Sequence, residues 1–176
     1  RENIIDDPFF RDRENEVQWI GRADWTYRRT VRVPESLLRH EHVVLECDGL
    51  DTLAEIRVNG RRAGAADNMF RTWEFDVKRL LGEGENTVEV RFKSPRPTIE
   101  KRQKKRPLPA WWHRGAAYLR KEYCNFGWDW APVLITCGVW REMRLVGWSG
   151  ARLGEVRIEQ THSRRKVALD VSVEAK

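Results

Sequence analysis

Ala54-Glu55-Ile56-Arg57-Val58-Asn59-Gly60 is the stretch whose reading decides the fold. Ala54, Ile56 and Val58 alternate with Glu55 and Arg57, the period of a strand with one buried face. Asn59-Gly60 tolerates the positive φ angles of a tight primed turn, so the strand ends in a hairpin. The same rhythm extends in both directions. Residues 26–33 alternate and stop at Pro34, and residues 42–47 run into the turn pair Asp48-Gly49. Residues 72–77 alternate again, residues 87–92 follow the loop Gly82-Glu83-Gly84-Glu85-Asn86, and residues 139–148 supply a late strand. Short strands separated by turn signals, with few helical patterns, predict an all-β fold, an antiparallel sandwich or jelly roll.

Two segments depart from that rhythm. Between Pro95 and Pro109 lies Lys101-Arg102-Gln103-Lys104-Lys105-Arg106, followed by Trp111-Trp112-His113. Basic residues before aromatics are one way to build a nucleic-acid patch. A solvated insertion, helical over about residues 98–106, accounts for them better, because the charge is local and nothing comparable recurs. The tail, residues 153–160 and 167–174, forms two alternating strands around His162-Ser163-Arg164-Arg165. It follows Trp148-Ser149-Gly150, which reads as a boundary. A lone hairpin is marginal in water, so a domain over 1–150 and the start of a second over 151–176 are expected.

The chain's 176 residues can bury roughly 70 % of the unfolded surface without a metal or disulfide. Its +6 charge comes from 33 basic and 27 acidic residues mixed along the chain, the pattern of a solvated surface. Three cysteines, Cys47, Cys124 and Cys137, show no C-x-x-C spacing. They argue against a disulfide framework and a zinc site and for a reducing, cytoplasmic compartment. His40-Glu41-His42 reads as exposed rather than metal-binding. No apolar run approaches the roughly 20 residues of a membrane span, and no signal-peptide pattern opens the chain. Neither a cofactor, nor a nucleic acid, nor a membrane is expected as a partner.

Nine tryptophans exceed what such a core needs, so some are placed for binding. Phe126-Gly127-Trp128-Asp129-Trp130-Ala131-Pro132 sets a carboxylate between two indoles. If the segment is extended, Trp128 and Trp130 share one face and Asp129 takes the other. An indole face covers sugar C–H bonds while a fixed carboxylate accepts hydroxyl protons. Core indoles with Asp129 capping a turn are the alternative. No G-x-S-x-G, P-loop or H-E-x-x-H is present. Glycoside hydrolysis needs two facing carboxylates about 5–5.5 Å apart for retention, and most Asp and Glu here read as outward strand residues.

The residues also carry a family resemblance. Asp7-Pro8-Phe9-Phe10, Gln18-Trp19-Ile20-Gly21, Asp24-Trp25, Gly49-Leu50-Asp51-Thr52, Val58-Asn59-Gly60, Ala66-Asp67-Asn68-Met69-Phe70-Arg71 and Gly84-Glu85-Asn86 follow in order. Together they resemble the N-terminal sugar-binding domain of glycoside hydrolase family 2. Arg120-Lys121, Phe126-Gly127-Trp128-Asp129-Trp130 and Cys137-Gly138-Val139-Trp140-Arg141 resemble its β-mannosidase branch. The resemblance covers residues 4–148.

It implies a jelly-roll, galactose-binding-like domain packed on a (β/α)8 barrel, with an immunoglobulin-like domain between them. The tail from Ala151 would open that middle domain. The two catalytic glutamates would lie in the barrel, and no position here matches them, so this piece alone should be inactive. The parent would release terminal β-mannose with retention through a covalent glycosyl-enzyme. Trp128 and Asp129 would contact the terminal mannose, and Arg120 would orient their loop or hold Asp129. Trp140 and Arg141 are expected as core and domain-packing residues, with Trp140 buried. The family usually has glycine where Ala131 stands and often histidine where Asn125 stands. Alanine at a positive φ costs about 1 kcal/mol, so a different loop is expected there. A free-standing carbohydrate-binding module is the alternative of another class.

Overall fold

The computed structural model describes residues 4–110 and 113–176. Trp111 and Trp112, the aromatic half of the possible nucleic-acid patch, lie outside the described residues. The chain after two short 3-10 turns forms β1 (Trp25–Val33), α1 (Glu35–Leu38), β2 (His42–Cys47), β3 (Leu50–Asp51), β4 (Ala54–Val58), β5 (Arg61–Ala66), β6 (Trp73–Asp76) and β7 (Gly84–Phe92). There follow α2 (Pro95–Lys105), β8 (Phe126–Trp128), β9 (Ala131–Val133), β10 (Gly138–Val139), β11 (Met143–Trp148), β12 (Leu153–His162) and β13 (Val167–Ala175).

Two sheets face each other across one core. A four-stranded antiparallel sheet has the order β1-β7-β4-β5, and a three-stranded one the order β11-β2-β6. Alternation places Ile56 and Val58 of β4, Val90 and Phe92 of β7, and Val43, Leu45 and Cys47 of β2 in the shared core. Their charged neighbours pair on the outside, Glu55 with Arg57 and Arg62, and Glu89 with Arg28 across the strands. Asn59 and Gly60 carry φ angles of +50° and +76°, both required by the β4–β5 turn. Asn59 also has a second task. Its side chain donates to the Asn86 amide oxygen and to the Leu80 carbonyl, joining this hairpin to the start of β7.

Two of the strands that escaped the sequence reading, β5 and β3, did so for definite reasons. In β5, Arg61–Ala66, a register shift opposite Ile56 and Arg57 breaks the alternation. There Gly64 lets the Phe75 ring lie against the backbone, since a Cβ would fall 2.3 Å from the ring. Leu50–Asp51 is too short to show a period, and it pairs with Gly138 and Val139. The basic insertion is helical, but it starts at Pro95 rather than near residue 98. Ser94 accepts the Arg96 N–H as a cap, and proline suits the first helical turn.

The β12–β13 hairpin stands apart. Leu153, Val156, Ile158, Val167, Leu169, Val171 and Val173 are all at least half exposed. Trp148 and Arg152 form the joint: the Arg152 guanidinium lies 3.9 Å from the indole centre and pairs with Glu74 of β6. Among the described residues no helix is long and apolar enough to cross a membrane.

Candidate functional site

Phe126-Gly127-Trp128-Asp129-Trp130-Ala131-Pro132 is not a single extended segment. The chain reverses at Asp129-Trp130, with Trp128 opposite Ala131 and Phe126 opposite Val133. Gly127 adopts φ +93°, a conformation open to glycine at little cost. Ala131 is not at positive φ; it opens β9 before Pro132, which favours extended backbone in the residue before it. The cost of an alanine at positive φ therefore does not arise here.

The reversal changes how the aromatic surface is built. The Trp128 and Trp130 rings lie 5.2 Å apart, tilted by 52°, instead of side by side along a strand. Trp128 is half-buried and meets Tyr123 edge-on at 6.0 Å. Trp130 is 72 % exposed, and Asp129 at the tip is exposed beside it. An angled indole pair with an adjacent solvent-facing carboxylate offers both an apolar wall and a hydroxyl acceptor.

A separate hydrophobic cluster supports the hairpin: Phe126, Ile99, Ala116, Leu119 and Ile135, with Tyr123 and Val133 packed against it. The His113 ring lies 5.7 Å from Phe126, and burial pushes its imidazole pKa down, with Arg96 acting in the same sense. α2 contributes Ile99 to this cluster, so the insertion has a structural task as well as a solvated face.

Arg120 is exposed, and its backbone does the visible tying. Its carbonyl accepts the Met69 N–H at 3.0 Å, and it bridges to Asn68. Among the described residues no ion pair joins Arg120 to Asp129. The Asp67-to-Arg71 loop is clamped around this point. Trp73 donates to the Asn68 carbonyl and Trp140 to the Met69 carbonyl, each at 3.0 Å. Trp140 is consequently not core: it is 43 % exposed. Its indole covers the Gly49 backbone on one side, and the Arg141 guanidinium stacks 4.2 Å from its centre.

Sequence reasoning missed the neighbour of Arg120. Lys121 is buried and pairs with Asp51, which is also buried, against the reading of carboxylates as surface. Lys121 donates to the Thr136 carbonyl at 2.9 Å, and Thr136 and Thr52 hydroxyls donate to the same carboxylate. Burial pushes the Lys121 ammonium down while Asp51 opposes it. The Asp51 in Gly49-Leu50-Asp51-Thr52 and the Lys121 after Arg120 were the available signal. Neither sits in an alternating pattern that would have excluded an inward side chain.

Among the described residues no cluster of three or more His, Cys, Asp or Glu could hold a metal, and the three cysteines are free. The chain matches the family described as glycosyl hydrolase 2 galactose-binding domain-like over residues 1–141. It is 33 % identical to β-mannosidase B of Emericella nidulans over 97 % of this chain and 21 % of that protein. It is 32 % identical to the β-mannosidase of Capra hircus over 81 % of this chain and 17 % of that protein. Among solved structures, the β-D-mannosidase of Dictyoglomus thermophilum superposes with a TM-score of 0.91 at 39 % identity, covering 98 % of this chain and 22 % of that one. A β-glucuronidase from an uncultured Clostridium species shares the fold at a TM-score of 0.59 and 19 % identity, covering 85 % of this chain and 23 % of that one.

Proposed function

The chain belongs to the glycosyl hydrolase 2 galactose-binding domain-like family, and from that premise we propose that it is the N-terminal sugar-binding domain of a retaining β-mannosidase-like exoglycosidase. Its substrate would be terminal β-mannose. The observation that carries this reading is the anchored hairpin whose tip joins exposed Asp129 to the angled Trp128 and Trp130 rings. Trp128 walls one side of the pocket, Asp129 accepts sugar hydroxyl protons, and Arg120 supports the loop next to them. The catalytic glutamates belong to a barrel domain of the same parent chain.

The division into 1–150 and 151–176 is part of the proposal. β12–β13 would be the first strands of an immunoglobulin-like domain. Its exposed apolar residues support that reading, since a finished module would cover them.

An NMR titration with mannose tests the proposal. One wall leaves most of a sugar wet, and about 4 kcal/mol corresponds to only millimolar affinity. Shifts at Trp128, Asp129 and Trp130 with a millimolar or weaker constant are expected, and no release from an aryl β-mannoside. Asp129→Ala should weaken the response about tenfold, the effect of losing one charged hydrogen-bond partner. Its melting temperature should hold, because Asp129 is exposed. Micromolar affinity would replace this reading with a free-standing carbohydrate-binding module. Unchanged binding in Asp129→Ala would remove Asp129 from the site.

A further inference from the structure

Among the described residues β9 pairs with β8 on one side only, and its other edge is completed by side chains instead of a strand. The Val133 N–H donates to the Glu14 carboxylate, and the Val133 carbonyl accepts from the Gln18 amide at 2.7 Å. Both atoms of one residue are thus held from the N-terminal segment, as a neighbouring strand would hold them. Gln18 has no slack. Its amide also donates to the Glu14 carbonyl at 2.8 Å, and its oxygen accepts from Arg96 of α2 at 3.1 Å.

The segment carrying these two side chains is itself fixed to the sandwich. Ser94 donates to the Gly21 carbonyl at 2.8 Å, and the Asp24 carboxylate accepts the Ser94 N–H at 2.8 Å and Arg91 at 3.0 Å. Trp25 donates to the Ile20 carbonyl at 3.0 Å. A continuous set of hydrogen bonds therefore runs from the rigid sheet, through residues 14–24, to the base of the hairpin.

We propose that Gln18 and Glu14 are positioning residues for the Trp128–Trp130 hairpin: they fix the angle at which its indoles and Asp129 are presented, without touching the sugar themselves. The inference rests on the reading of that hairpin as a sugar wall. A three-residue strand paired on one side has little stability of its own, so its outer edge decides how firmly the tip is held.

Amide hydrogen exchange on the 176-residue chain tests this without sugar. Gln18→Leu keeps the bulk and removes the donor to Val133. Exchange at residues 126–133 should accelerate about tenfold, the effect of one lost hydrogen bond, while β4 and β7 amides keep their rates. Glu14→Leu should do the same, and Glu14→Gln, which retains an oxygen acceptor, should restore the wild-type rates. Mannose-induced shifts should shrink in the two leucine variants and persist in Glu14→Gln. Hairpin rates unchanged in both leucine variants would overturn the proposal. So would equal acceleration in β4 and β7, which would make the two residues general stabilisers. A wild-type chain that shows no response to mannose would sink the sugar-wall reading instead, and leave the exchange result to judge the clamp.

Discussion

Single residues here do opposite things with the same chemistry. Asp129 drew attention in the sequence because nothing in an ordinary strand explains an acid between two indoles, and it lies exposed at a tip. Asp51 was not legible, because burial of a carboxylate depends on a lysine 70 positions away arriving beside it. Such a pair contributes little net stability, but breaking it strands a charge. Cys47 shows a third case. It is fully buried in β2, and burial, with Asp48 and Glu46 adding, pushes its thiol up to about 12 from an ordinary 9.0. The folded thiol keeps its proton over a range where the unfolded one loses it. The resulting stability is fully present below pH 9 and is lost as pH rises towards 12. At pH 10 the loss from this group should be about 1.4 kcal/mol. Urea midpoints of wild type and Cys47→Ala at pH 7 and pH 10 check this: the wild type should fall further than the variant. Equal falls would show that the folded thiol loses its proton as readily as the unfolded one.

Elements were read well where period and turn chemistry agreed. β2 and β4 lie where their alternation predicted, and Asn59-Gly60 turns as its φ preferences require. β5 was lost because its bulge and small residues hide the period, and β8–β9 because a tight reversal at Asp129-Trp130 resembles an extended aromatic run. The contact that makes β5 possible yields a prediction. A Cβ on Gly64 would sit 2.3 Å from the Phe75 ring, itself stacked 6.3 Å from Trp73. Gly64→Ala should therefore displace a buried ring and cost about 1–3 kcal/mol, the range for overpacking. Chemical denaturation should show a lower midpoint with an unchanged slope. A midpoint equal to wild type would mean that Phe75 moves aside freely.

For the whole molecule, the described body has one sandwich core, a smaller cluster under the β8–β9 hairpin, and a β12–β13 hairpin that buries almost nothing. Ending the chain at Gly150 should leave the melting temperature of the body within a few degrees, because the loss is mainly the Arg152 contacts to Trp148 and Glu74. It should also raise solubility, since exposed valines and leucines leave with the tail. Calorimetry and light scattering on both lengths check this; a collapse of the body's transition would show that the hairpin is integral to it. By itself the sequence determined the all-β class, the main strands, the basic helix within two or three residues, and the Trp128–Asp129 pair as the place to look. Those follow from local rules: side-chain period, turn φ angles and the chemistry of neighbouring residues. Only the tertiary structure decided that the indoles are angled around a reversal, that Trp140 is half-exposed, that Asp51 and Lys121 are buried together, and that Glu14 and Gln18 hold Val133. Each of these joins residues far apart in the chain, and no local pattern records which distant partner removes a group from water.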